Sequence, residues 1–199
     1  MYHDYDALIF DMDGTLVDSG KLHEHAWTGA LRPHNIPVDR ALMRSLAGVP
    51  TRQTVELVLQ HNGIEGSELV GIITELKEQL SRQLMEVHVK PTTLVDIVKQ
   101  YHGKKPMAVG TGASTAEAIS ILKHCGLLHY IDHVVGADLA EHPKPAPDTF
   151  LLCAQKMGIP PQRCIVFEDA ALGIRAAKSA KMAVIDVLET YAIANDYFL

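Results

Sequence analysis

The residues best suited to chemistry in this chain are acidic side chains at the ends of apolar runs. Asp11 and Asp13 stand two apart in Asp11-Met12-Asp13-Gly14-Thr15, directly after Ala7-Leu8-Ile9-Phe10. In extended backbone, residues i and i+2 point the same way. Two carboxylates so placed repel by about 4 kcal/mol at ~4 Å and an effective dielectric of 20. A divalent cation removes that cost. Hard oxygen ligands with few protein carboxylates suit magnesium, which keeps waters and shares phosphate oxygens. Glu168-Asp169, after another apolar run, supplies further carboxylate. The opening Asp-x-Asp-Gly also echoes a calcium loop. That loop needs further acidic positions at fixed spacing, and here Leu16, Val17 and Ser19 follow instead.

Two more residues belong with this set. Thr111 ends an apolar run inside Gly110-Thr111-Gly112, where a hydroxyl and free amides ahead of a helix suit phosphate. Lys144 lies in the proline-rich stretch Lys144-Pro145-Ala146-Pro147-Asp148, which restricts its backbone. A lysine acts as a point charge for phosphate. Each alone has a plain alternative: a common turn for Thr111, a solvated surface lysine for Lys144.

These residues need a scaffold that brings strand ends together. Ala7–Phe10, Met107–Val109, Val134–Val135, Cys164–Phe167 and Met182–Ile185 are apolar runs of strand length. Such continuous runs suit strands buried on both faces. Helix-like stretches separate them: Ser114 to His124, Asp148 to Met157, and Ala171 to Ala180. Strand-helix alternation implies an α/β fold with a doubly wound, Rossmann-like parallel sheet, whose ligands bind beyond the carboxyl ends of the strands. From about Val17 to Val87 the alternation stops. Three helices are expected there, over Leu22–Leu31, Arg52–His61 and Leu69–Leu84. The expected organisation is therefore a core of 1–16 and 88–199 with a helical cap at 17–87. The crossings near Val17–Ser19 and Val87–Pro91 are candidate hinges. The end of the chain, Glu189 to Leu199, suggests no more than a short helix on the core.

Composition narrows the function classes. The chain has 199 residues and a net charge of -6, which gives no general attraction to nucleic acid or to an anionic membrane. An anionic substrate then needs a local positive site. Cys125, Cys153 and Cys164 have no metal or redox spacing and read as free, mostly buried thiols of a reducing compartment. No run of 18 apolar residues occurs, and the start lacks a basic-then-apolar leader. The expectation is a cytoplasmic protein that is a monomer, or alternatively a dimer, with no nucleic-acid or membrane partner.

The order of the set is more specific than any member. Asp-x-Asp follows the first strand, Thr111 the second, Lys144 precedes a later helix, and Glu168-Asp169 follows the fourth strand. This order resembles the haloacid dehalogenase-like superfamily over essentially the whole chain, with Phe10-Asp11-Met12-Asp13-Gly14-Thr15-Leu16 as its first motif. The helical segment after that motif is similar to the small cap of the beta-phosphoglucomutase-like branch. Within the branch, Pro106–Gly112 and Lys144–Gln155 resemble small bacterial phosphatases acting on fructose 1-phosphate and 6-phosphogluconate.

The resemblance implies roles. Asp11 is the nucleophile that forms an aspartyl-phosphate. Asp13 is the acid/base and lends its backbone carbonyl to Mg2+. Thr111 and Lys144 hold phosphoryl oxygens, and Lys144 restrains Asp11. Asp169 ligates the metal, as does Glu168 directly or through water. In the cap, His23 and Trp27 lie four apart on one helix face and are expected at the substrate. Arg52, in Gly48-Val49-Pro50-Thr51-Arg52, is a candidate for a substrate hydroxyl or carboxylate. The branch often carries a hydroxyl residue two positions after Thr111. Here Ala113 stands there, with Gly112 and Ser114 as the remaining phosphate-binding candidates. The expected activity is hydrolysis of small sugar phosphates. A beta-phosphoglucomutase-type phosphotransferase is the alternative, and a non-catalytic phospho-signalling module of the receiver type is a remote one.

Overall fold

Alternate residues of the first apolar run enter different cores. Leu8 and Phe10 pack with Val98, Val109, Ile121 and Phe167, whereas Ala7 and Ile9 pack with Phe150, Cys153, Val166 and Ala177. A strand that is apolar on both faces must be covered on both faces. In chain order the elements are β1 (Ala7–Phe10), β2 (Val17–Asp18), α1 (Gly20–Leu31), α2 (Arg40–Ser45), α3 (Thr51–His61), α4 (Ser67–His88), β3 (Lys90–Pro91), α5 (Val95–Tyr101), β4 (Met107–Gly110), α6 (Thr115–His124), β5 (His133–Val135), α7 (Asp148–Met157), β6 (Cys164–Glu168), α8 (Ala171–Ser179), β7 (Ala183–Asp186) and α9 (Val187–Tyr191). They come from a computed structural model that describes residues 2–199.

The main sheet is wholly parallel in the order β5-β4-β1-β6-β7. All five strands fall on the apolar runs read from sequence. The chain leaves β1 toward β4 on one side and returns to β6 on the other. The crevice of such a sheet opens where strand order reverses, beyond the carboxyl ends. Asp11, Thr111 and Glu168 stand at or just after the ends of β1, β4 and β6.

Helices α1 to α4 have a core of their own, built from residues such as Trp27, Leu31, Met43, Val58 and Ile73. The three expected helices are present as α1, α3 and α4. The short α2 went unread; Asp39 caps it by accepting from the Ala41 and Leu42 amides at 2.9 and 3.0 Å. The two expected crossings pair with each other: β2 and β3 form an antiparallel two-residue ladder, Val17 opposite Pro91 and Asp18 opposite Lys90. Among the described residues no helix is long and apolar enough to cross a membrane.

The chain's last residues depart from expectation. The helix there is α9, Val187–Tyr191, capped by Asp186. Residues 192–199 then leave the sheet and cross to α1, and Phe198 is buried in the core of the helical segment.

Candidate active site

Lys144 and three carboxylates form the buried centre. The Lys144 ammonium donates to Asp11 Oδ1 at 2.6 Å and to Glu168 Oε1 at 2.8 Å, and sits 4.6 Å from the Phe150 ring centroid. Its side chain is 1% exposed, so water does little to solvate the charge. Burial opposes the ammonium, yet Asp11 and Glu168 hold it above its ordinary value. Glu168 uses its other oxygen, Oε2, to accept from the Ala170 amide at 2.6 Å. Asp169 accepts from Thr15 Oγ1 at 3.1 Å and from Asn195 Nδ2 at 2.8 Å.

Asp11, Glu168 and Asp169 each offer an oxygen within 4.8 Å of the others. One ammonium does not balance three carboxylates. Burial pushes Asp11 well above the usual carboxylate range, with Glu168 and Asp169 adding to the rise and Lys144 opposing it. Burial, then Glu168, pushes Asp169 up to about 7, while Asn195 and Thr15 pull the other way. An all-oxygen set with surplus negative charge fits a divalent cation.

That surplus gives a stability prediction with a definite sign. Asp169 ordinarily titrates at 3.8, so its folded-state value of about 7 favours the proton on folding. The stability from that proton is fully present below 3.8 and lost as pH rises through about 7. In EDTA, the melting temperature should fall from about pH 5 to about pH 8, and more steeply than in Asp169→Asn. Thermal melts of both proteins check this; equal slopes contradict it.

Asp13 points elsewhere. Its Oδ1 accepts from Ser19 Oγ at 2.6 Å and lies 3.0 Å from His23 Nε2. Burial alone raises Asp13, but His23 and Ser19 carry it below its ordinary value. The two acidic residues of the first motif therefore have separate surroundings: Asp11 with a lysine, Asp13 with a histidine and a serine. The turn directly after Asp13 requires Gly14, whose φ of +78° lies in the left-handed region. Between the sheet and the helical segment is a pocket lined by Asp11, Asp13, Thr111 and Asp169 on one side and His23, Trp27 and Lys77 on the other.

A model of the haloacid dehalogenase-like hydrolases matches residues 5–181. The chain belongs to this family. As a haloacid dehalogenase-like hydrolase it is similar to the fructose-1-phosphate phosphatase YqaB of Escherichia coli, at 45% identity across 94% of this chain and 98% of that protein. It is also similar to the beta-phosphoglucomutase of Bacillus subtilis, at 28% identity across 91% and 82%. Among solved structures, the beta-phosphoglucomutase of Clostridium difficile superposes with a TM-score of 0.84 at 25% identity, covering 96% of this chain and 88% of that one. The chain is thus an enzyme, a phosphatase of the haloacid dehalogenase-like family.

The hydrolase's expected residues divide clearly. Asp11, Lys144, Glu168 and Asp169 meet in one cluster, and Asp13, Thr111, His23, Trp27 and Gly112 line the pocket above it. Gly112 also makes room for the helical segment, since a Cβ there would stand 2.3 Å from the Gly48 carbonyl oxygen. The Thr111 hydroxyl accepts from the Ala113 amide at 3.1 Å.

Two expectations need correction. Ser114 is not in the pocket: it caps α6, accepting from the Glu117 amide at 3.2 Å. Arg52 lies on the outer side of α3, 3.6 Å from Glu56 one turn on, and Thr51 and Thr54 line the pocket instead. The Asp13 side chain also stands outside the carboxylate cluster.

Lys77, Asn195 and Tyr197 are pocket residues that the sequence reading missed. Lys77 had a visible signal, because Val70, Ile73, Lys77 and Ser81 form the buried stripe of α4. A lysine on such a stripe needs a partner; Lys77 lies 3.4 Å from Glu117 Oε1 and 5.8 Å from the Trp27 ring centroid. Asn195 and Tyr197 fall in no periodic pattern. The thiols match expectation: Cys125, Cys153 and Cys164 are free, and burial pushes them up to about 11, 12 and 11.

Proposed function

We propose that this phosphatase hydrolyses small sugar phosphates, of the fructose 1-phosphate and 6-phosphogluconate type, through an aspartyl-phosphate on Asp11. The observation that carries this reading is the pairing of a lysine-restrained buried carboxylate with a second, differently partnered carboxylate at one pocket. The similarity to the fructose-1-phosphate phosphatase of Escherichia coli supports the sugar phosphate.

Lys144 holds Asp11 by Oδ1, leaving Oδ2 for the phosphorus. In the first step Oδ2 bonds to phosphorus, the P–O bond to the sugar breaks, and Asp13 gives its proton to the departing sugar oxygen. In the second step Asp13 takes a proton from water, the water oxygen bonds to phosphorus, and the bond to Asp11 breaks to release phosphate. Ser19 and His23 fix one oxygen of Asp13 and leave the other for proton transfer; both partners favour the ionised form, the base of the second step, so the proton given in the first step enters with the monoanion of the substrate. Thr111 and Lys144 bind the phosphoryl oxygens. Mg2+ held by Asp11, Glu168, Asp169 and the Asp13 carbonyl would supply charge stabilisation for those oxygens. The helical segment, with His23, Trp27 and Lys77 at the pocket, acts as a cap over 17–87 that covers the sugar and excludes water.

A panel of phosphorylated metabolites with Mg2+ tests the substrate class. Fructose 1-phosphate or 6-phosphogluconate should rank among the fastest, with free phosphate as product. Turnover of glucose 1-phosphates that yields glucose 6-phosphate faster than free phosphate would establish the mutase instead.

A further inference from the structure

The segment after α9 touches both sides of the pocket, and nothing in the chemistry above uses it. Asn195 reaches the carboxylate cluster, donating from Nδ2 to Asp169 Oδ2 at 2.8 Å. Its own Oδ1 accepts from the Tyr197 amide at 3.1 Å, which fixes the amide's orientation. The next residues bind the helical segment. Asp196 stands at the amino end of α1, where Ser19 makes no cap because its hydroxyl goes to Asp13. Asp196 Oδ2 lies 3.7 Å from Lys21 Nζ, and its buried Oδ1 makes no hydrogen bond among the described residues. Tyr197 lines the pocket with its ring edge-on to His23 at 6.4 Å and its hydroxyl toward Trp27. Phe198 is 1% exposed in the helical core, with the Arg40 guanidinium 5.8 Å from its ring centroid. Arg40 also donates to the Leu199 carbonyl.

Two glycines make this path possible. A Cβ on Gly14 would lie 2.3 Å from Asn195 Nδ2. One on Gly20 would lie 2.2 Å from Asp196 Oδ1 and 2.8 Å from the Tyr197 amide nitrogen. The contact at Gly20 is partly with backbone, so the segment itself must shift if a side chain is added. The first turn of α1 and the first motif are therefore shaped to admit residues 195–197.

We propose that Asn195–Phe198 is a working part of the active site, with Tyr197 as a substrate-binding wall of the organic half of the pocket and Asn195 as a positioning residue for Asp169. Phe198 is the anchor. The assignment of the organic half to the substrate rests on the phosphatase reading above. Tyr197 faces the His23 and Trp27 side of the pocket, so its loss enlarges the space for the organic group rather than for the phosphoryl group. Asn195 orients the carboxylate from outside, as hydrogen-bond partners of ligating carboxylates do.

The test uses whichever phosphomonoester the wild type turns over fastest, so that failure of the sugar assignment appears in the wild-type panel and not here. KM reads the whole pocket; the competitive inhibition constant of inorganic phosphate reads the phosphoryl half. Tyr197→Ala should raise KM about tenfold or more while the phosphate constant moves less than about threefold, and Tyr197→Phe should recover most of the KM. Gly20→Ala should reproduce the KM rise with Tyr197 intact, and it favours the helix, so the fold is kept. Asn195→Ala should weaken Mg2+ binding about tenfold, measured by calorimetry with the metal alone. KM within threefold of wild type in both Tyr197→Ala and Gly20→Ala overturns the role of Tyr197, as does an equal rise in KM and the phosphate constant. Mg2+ affinity within twofold of wild type overturns the role of Asn195.

Discussion

Asp11→Asn is expected to lower phosphate release by roughly 10⁴ to 10⁶, the range in which removal of a covalent nucleophile falls. The amide keeps the shape of the side chain and loses the charge that attacks phosphorus. The folded state should survive. One of three crowded carboxylates is gone, and the amide oxygen can still accept from Lys144. Burial already pushes Asp11 upward, so replacing it by a neutral group relieves a cost of the metal-free protein. The expected pattern is lost turnover with an equal or higher melting temperature in EDTA. Steady-state phosphate release and thermal melts check the two halves. Turnover within tenfold of wild type would sink the covalent mechanism.

Lys144→Met should have the opposite signature, losing both activity and stability. The lysine is the cation bonded to Asp11 and Glu168, and all three side chains are buried. Removing one partner of a buried ion pair costs about 3–5 kcal/mol because the remaining charge is uncompensated. For a chain of this size, that is on the order of 10 °C in melting temperature. The deficit should depend on pH. Asp11 already lies above the carboxylate range, and without the opposing ammonium it rises further. As pH falls it takes up a proton, the uncompensated charge disappears, and the gap to wild type narrows. Melts at about pH 8 and pH 5.5 test this; a gap that widens at the lower pH contradicts it.

The contrast between these substitutions shows which parts of the site sequence could reveal. Asp11, Thr111 and Glu168 were legible because each follows a continuous apolar run, and a doubly wound sheet puts the ends of such runs on one edge. Their order along the chain carried the family. Ser114 misled because a serine ahead of a helix serves equally as phosphate ligand or N-cap, and the sequence does not distinguish them. Arg52 misled for a related reason: a helix face is fixed by periodicity, but which face meets the sheet is fixed by packing. Lys77 was recoverable from the buried stripe of α4. Asn195 and Tyr197 were not, since they lie in irregular backbone after α9 and reach the pocket only through the path beneath which Gly14 and Gly20 lack side chains.

The central claim is that Asp11 carries the phosphoryl group. Rapid mixing of enzyme with ³²P-labelled sugar phosphate and Mg2+, followed by acid quench, reads the bound phosphoryl group, and reduction of a parallel quenched sample with tritiated borohydride, which expels the phosphate, marks the residue that carried it. The account predicts protein-bound ³²P that forms before free phosphate, and tritium at residue 11 as homoserine in the reduced sample. Complete release of labelled phosphate with no protein-bound label at any quench time, or label at another residue, would contradict it.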